Sequence, residues 1–338
     1  MIGPSVVDIG VSLLPVFIFL TVLIFLDSFK LVKLSSIILA ILVGCIVVGI
    51  ALFVNTWLLN LLPIDDKIFR RYGAPIVEEV LKASYIIYLM KNKKIGFMVD
   101  GAIYGFAIGT GFGCIENIYY LQSLPHSTLL LWIIRGFGTA IMHGGATAIF
   151  GIIAKNYSER KSSESIHFFL PGLLIAIFIH SIYNHVLLPP HITTVLLLII
   201  LPTLMMVVFN QSEKATRQWL GVGFDTDAEL LEMINTGKIS ETKVGNYLQS
   251  LMGRFPGEVV ADMFCFLRIH LELSVRAKGI LLMRETGFTV APDPEVKEKF
   301  MELKYLEKSI GITGRRAILP FIHTTSRDLW QLHMLGKN

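Results

Sequence analysis

Seven stretches of this sequence are apolar for about the 20 residues that a helix needs to cross a bilayer core. They lie at roughly 9–26, 35–62, 72–90, 99–122, 129–154, 167–188 and 192–209. In hydrocarbon every backbone amide and carbonyl must find its partner inside the protein, so such spans are helices. The expectation is an all-α fold: a polytopic membrane helix bundle of about seven spans. The second and fifth stretches are longer than needed and would tilt or overrun. The first carries Asp8 at its edge and lacks a cationic front, which reads as a retained span rather than a cleaved signal peptide.

Charge divides the chain. Residues 210–338 hold 17 Lys/Arg and 16 Asp/Glu, whereas residues 1–209 hold 13 and 10. The expected organisation is therefore a transmembrane domain over 1–209 and a helical accessory domain over 210–338. The tail reads as helices over Asp225–Gly237, Ser240–Gly253, Pro256–Gly287, Pro292–Gly311 and Arg315–Leu335. Net charge is +4, too slight to argue for nucleic acid, and no P-loop, zinc-finger spacing or dinucleotide fingerprint occurs. Three cysteines, Cys45, Cys114 and Cys265, make no disulfide framework.

Lys and Arg in the short loops set orientation. Lys30 and Lys33 follow span one, Lys91, Lys93 and Lys94 follow span three, and Lys155, Arg160 and Lys161 follow span five. The loops around Pro125 and Pro189 have none, and the loop holding Lys67, Arg70 and Arg71 beside Asp65 and Asp66 dissents. The reading is amino terminus outside and carboxyl terminus, with its tail, in the cytoplasm.

Ionisable groups inside spans are expensive and usually functional. Span three has Glu78, Glu79 and Lys82; span four has Glu116 and Asn117; span five has Arg135 and His143; span six has His180, Asn184 and His185. Lys82 is three residues from Glu79 and four from Glu78, so either pair can meet. Gly101, Gly105, Gly109 and Gly113 form a ridge on which another helix can approach closely. At 1.5 Å per residue, Glu78, Glu116 and His180 lie about 9–12 Å below the outer ends of their spans. His143 joins that level if Arg135 snorkels to the outer interface. Four helices thus place carboxylates, imidazoles and an amide at one depth.

These residues, as PIVEEVLK (EExxK), FGCIEN (FxxxE then Asn), MHGGAT and HSIYN (HxxxN), resemble the PrsW family of membrane-embedded proteases over roughly 70–186. That family is similar to the CAAX-prenyl proteases of the CPBP superfamily and to bacteriocin-immunity-type proteins. In the CAAX relatives the second motif ends in histidine, where this chain has Glu116, as in the PrsW branch. The resemblance implies hydrolysis of a peptide bond in a membrane-protein substrate near the extracytoplasmic face. PrsW-type proteins make the first cut in a single-span anti-sigma factor. It implies nothing about residues 210–338.

Two versions of the chemistry use the same atoms. In one, Glu78 is the general base, helped by Glu116 or His143, while His180 and Asn184 stabilise the oxyanion and Glu79 pairs with Lys82. Glu78 and Glu79 could exchange roles. In the other, Glu79, Glu116, His143 and His180 bind zinc with Glu78 as base, although no HExxH motif is present. Asn117 and Lys82 are expected as supporting residues. Two rival readings remain open: a proton-coupled transporter using the same groups as a relay, and an inactive relative that binds a partner.

Overall fold

A computed structural model describes residues 5–27, 29, 31–124, 127–160, 166–286, 288, 293–322 and 335. Lys30, Pro125, Lys161 and the stretch 323–334 of the last expected tail helix lie outside the described residues. Among the described residues every regular element is helical. The chain falls into two compact units, Met1–Ser212 and Glu213–Asn338.

Each of the seven apolar stretches holds helix. The first is α1 (Val6–Leu26), and Asp8 opens it rather than interrupting it. Ser5 Oγ accepts from the Asp8 amide at 3.1 Å, and Asp8 Oδ2 accepts from the Ser5 amide at 3.0 Å, a capping box. Helix α2 is Leu34–Leu61; α3 is the short Asp66–Ile68, followed by a π-turn, Phe69–Gly73, and then α4, Ala74–Lys91. Helix α5 is Met98–Ser123. Helix α6 (Leu129–Ile134), a second π-turn (Arg135–Ala140) and α7 (Ile141–Arg160) form one helical run. Helix α8 is Leu170–His185, and α9 is Pro190–Asn235.

Five of these segments are long and apolar enough to cross a membrane: Val6–Leu26, Leu34–Leu61, Met98–Ser123, Leu129–Ser158 and Pro190–Asn235. The other two fall short for a reason. Helix α4 carries Glu78, Glu79, Lys82 and Lys91 in its 18 residues, and α8 has only 16. Both lie inside an all-α membrane bundle, and both carry the ionisable motifs.

Helix α5 is the central post, buried from Val99 to Cys114. Glycine puts it there. A Cβ on Gly101, Gly105 or Gly109 would stand 2.7, 2.4 and 2.3 Å from the carbonyl oxygens of Gly151, Thr147 and His143 on α7. Gly111 does the same toward α2, where a Cβ would meet the Ile41 oxygen at 2.0 Å. Such backbone-to-backbone contact is how helices associate where no hydrophobic force drives them together.

In the second unit, α10 (Lys243–Leu251) is capped by Thr242, whose Oγ1 accepts from the Gly245 amide at 3.1 Å. Helix α11 (Gly257–Glu285) begins after Pro256 and buries Val260, Met263, Leu267 and Leu281, among others, against its neighbours. Helix α12 (Pro294–Ile318) breaks at Gly311, with φ 66° and ψ −178°. Two tail expectations change. No helix starts at Asp225, because α9 runs unbroken through Glu213, Lys214, Ala215 and Arg217, all good helix formers, until Gly237 turns it at φ 76°. The second tail helix starts at Lys243, since residues 238–241 form a 3₁₀ turn.

Candidate active site

Adjacent residues on a helix point about 100° apart. Glu78 and Glu79 therefore cannot face the same way, and the structure separates them. Glu79 points into the bundle with Lys82: Lys82 Nζ donates to Glu79 Oε1 at 2.8 Å, and the side chains are 0% and 1% exposed. Glu78 is 16% exposed and reaches Asn55 on α2, whose Nδ2 donates to Oε1 at 3.3 Å.

From this pair the network spreads to the two histidines. Lys82 Nζ also donates to His143 Nδ1 at 2.8 Å. With Nδ1 accepting, His143 carries its proton on Nε2 and donates to Glu116 Oε2 at 2.9 Å. His180 donates from Nδ1 to Glu79 Oε1 at 2.9 Å, which leaves Nε2 facing Glu78 Oε2 at 3.8 Å. The imidazoles meet edge to face with centroids 4.8 Å apart. Phe112 floors the site, 4.0 Å below Lys82 Nζ and 4.8 Å from the His143 ring.

A third layer holds the second. Asn117 Nδ2 donates to the Ser12 carbonyl at 2.8 Å, and Arg135 Nε donates to Asn117 Oδ1 at 3.0 Å. Arg135 lies over the Tyr120 ring at 3.8 Å and pairs with Glu116 Oε1 at 3.4 Å. On the other side, α8 holds the π-turn before α4. Ser181 Oγ donates to the Arg71 carbonyl at 2.6 Å, Asn184 Nδ2 to the Arg70 carbonyl at 3.0 Å, and His185 packs edge-on against Tyr72 at 4.8 Å. Both π-turns sit just upstream of the site residues they orient, where such bulges often occur.

Glu78, Glu79, Lys82, Glu116, His143 and His180 thus form one network, with Asn117 supporting it through Arg135. Asn184 makes its hydrogen bond to the Arg70 backbone rather than to any carboxylate or imidazole of the network. Of the metal candidates expected from the sequence, His143 and His180 gather with Glu78. The ligand atoms that gather within 4.8 Å of one another belong to Glu78, His143 and His180. Glu79 is taken up by Lys82 and His180, and Glu116 meets His143 Nε2 and Arg135.

Sequence reasoning missed two members. Thr147, one turn after His143, places Oγ1 3.4 Å from Glu79 Oε2 and 3.0 Å from the His143 carbonyl. Asn55 sits in span two; its amide inside an apolar run was the available signal. A cavity of about 390 Å³ opens beside the network, with Asn55, Glu78, Phe112 and Glu116 on its wall.

The sequence matches the family described as PrsW family intramembrane metalloprotease over residues 33–210. Protease PrsW of Halalkalibacterium halodurans is 30% identical over 127 residues, covering 36% of this chain and 54% of that protein. Protease PrsW of Clostridioides difficile is 29% identical over 133 residues, covering 38% and 55%. The chain spans about half the length of the curated relatives it matches. No solved structure matches it. The matched region takes in more than half of the chain and every residue of the buried network, and the chain belongs to the PrsW family of intramembrane metalloproteases.

Proposed function

We propose that the chain is a membrane-embedded endopeptidase that hydrolyses a peptide bond of a membrane-protein substrate. The observation that carries this reading is the gathering of Glu78, His143 and His180 within 4.8 Å of one another, with Glu78 on the wall of a cavity. Membership of the family, and relatives named as proteases, support it.

Two imidazoles and a carboxylate are the donor set of a catalytic zinc site. The far nitrogen of His180 already donates to a carboxylate, the arrangement that orients a ligating histidine. The residues present therefore fit a divalent cation, which Glu78, His143 and His180 would hold and which would supply an acidified water and positive charge at the substrate carbonyl. The rest belongs to the chain. Glu79 fixes His180 through Nδ1 and pairs with Lys82; His143 would ligate through Nε2 as its other tautomer, giving up the bond to Glu116 while Lys82 turns wholly to Glu79. Glu116, on the cavity wall and positioned by Arg135, accepts the proton of the attacking water and returns it to the leaving amine. Asn184 is a positioning residue that holds the π-turn and, through it, the register of Glu78.

This reading includes topology. The amino terminus lies outside, residues 213–338 form a cytoplasmic accessory module, and cleavage occurs near the extracytoplasmic face of a single-span substrate such as an anti-sigma factor. The alternation of loop charge supports it.

The test uses full-length protein in nanodiscs with a single-span reporter. Glu78→Gln is expected to lower cleavage by about 10³-fold, within the range of acid–base and metal-ligand losses, with thermal unfolding unchanged. Elemental analysis is expected to find a divalent metal that His143→Ala and His180→Ala lose. Cleavage by Glu78→Gln at the normal rate would refute the assignment.

A further inference from the structure

Helix α12 buries one side and leaves the other bare. Val296, Leu303, Leu306 and Ile310 are buried, and the helical rotation of about 100° per residue gathers them on one side. The ridge opposite them carries Lys297, Met301, Lys304, Tyr305 and Lys308, all exposed. Met301 is 59% exposed and Tyr305 70%. Gly311 then breaks the helix, and Ile312, at that break, is 76% exposed. Large apolar side chains scattered singly on a surface need no explanation. Met301 and Tyr305 are not scattered: they stand among lysines on one ridge.

Charge follows the same line. Residues 297–316 hold six Lys/Arg and three Asp/Glu, whereas the rest of 210–338 holds eleven and thirteen. Two acids of α12 are occupied by arginines, Glu295 by Arg276 at 2.9 Å and Glu307 by Arg315. Glu298 and Glu302 lie on the flank past Tyr305, away from the three lysines.

Such a ridge suits a negatively charged surface with an apolar layer beneath. Lysine stems can lie along that layer while their ammonium groups stay with the headgroups, and tyrosine favours the same depth. The core of a protein–protein interface is instead depleted of lysine. A bilayer is also always at hand, because one helix, α9, leads from an apolar span into the second unit. Tethering makes even a weak contact effective.

We infer that the outer ridge of α12 docks on an anionic bilayer surface. Lys297, Lys304 and Lys308 meet the lipid headgroups, and Met301, Tyr305 and Ile312 enter the interface. This docking does not depend on the endopeptidase reading, since it involves no residue of the buried network.

The test uses the full chain in nanodiscs, with Cys45→Ala, Cys265→Ala and an apolar fluorophore attached at Met301→Cys. The discs are phosphatidylcholine alone or mixed with phosphatidylglycerol, and both contain a lipid with a nitroxide headgroup that quenches fluorophores at the surface. Quenching is expected to be about threefold stronger in the anionic discs. The difference is expected to vanish at about 1 M salt, where the screening length falls to ~3 Å. Lys297→Glu, Lys304→Glu and Lys308→Glu together are expected to abolish it with helicity unchanged, and Arg at the same three positions to preserve it. Equal quenching in both discs, or a difference that survives the triple Glu substitution, overturns the inference. If the fluorophore is unquenched in anionic discs while a thiol reagent reaches Met301→Cys more slowly in intact cells than in discs, a protein covers the ridge and the lipid assignment falls.

Discussion

Two lysines of this chain are buried alike and paired at nearly the same distance, but their surroundings differ. Lys82 meets Glu79 at 2.8 Å in the first unit, and Lys278 meets Asp227 at 2.7 Å in the second. Around Lys278, Asp227 Oδ2 also accepts from Ser274 at 2.5 Å, and the ammonium sits 5.3 Å from the Trp219 ring. The effect is to fasten α9 to α11. Around Lys82 the contacts lead on, through His143 and His180, to Glu78 and Glu116 at a cavity. A buried ion pair is weak evidence of function by itself. What distinguishes a site is that its polar network reaches a space another molecule can fill.

The largest effect is expected where this comparison is broken outright. Lys82→Met strands the Glu79 charge in the interior, which costs about 3–5 kcal/mol, and frees His143 Nδ1. Unfolding in nanodiscs is expected to shift by that amount, and cleavage per folded molecule to fall about 10–100-fold. Lys278→Met is expected to destabilise by the same about 3–5 kcal/mol and to leave cleavage per folded molecule unchanged. Equal losses of cleavage in both variants would erase the distinction.

Gly109→Ala is a smaller perturbation. Its Cβ would stand 2.3 Å from the His143 carbonyl oxygen, so α7 must retreat and carry the imidazole with it. Overpacking of this kind costs about 1–3 kcal/mol, and cleavage is expected to fall with stability. Gly101→Ala meets the Gly151 carbonyl at 2.7 Å, two turns farther along the same ridge. It is expected to destabilise similarly and spare cleavage. If both variants keep full cleavage, the glycine ridge is structural only.

Much of this was legible because membranes penalise charge. Glu78, Glu79, Lys82, Glu116, His143 and His180 stand out in apolar stretches, and their spacing set them at one depth. The glycine ridge was legible for the same reason: four glycines at intervals of four in a span have no other common purpose. What the sequence did not reveal was partner choice. Helix rotation decides that Glu79, not Glu78, turns inward, so Glu78 is the carboxylate that gathers with the two histidines. The π-turns at Phe69–Gly73 and Arg135–Ala140 shift that rotation, and no residue type announces them. Asn184 shares a face with His180, as its spacing requires, but the π-turn offers it the Arg70 carbonyl. Asn55 and Thr147 are uncharged, so the penalty that exposed the others was too small to mark them.

Thr147 offers the finest test of the comparison. Its hydroxyl has one proton for two acceptors, the His143 carbonyl at 3.0 Å and Glu79 Oε2 at 3.4 Å. Ser274 plays the matching part beside Lys278. Deleting either hydroxyl, in Thr147→Val or Ser274→Ala, removes one hydrogen bond and is expected to cost about 0.5–1.5 kcal/mol of stability. Only the first touches the carboxylate that orients His180. Thr147→Val is therefore expected to slow cleavage a few-fold, with Thr147→Ser restoring it, while Ser274→Ala leaves the rate unaltered. A Thr147→Val enzyme that cuts at full rate would mean that Lys82 and His180 alone suffice to hold Glu79. The network that matters would then end at the two histidines, one residue short of the boundary drawn around it.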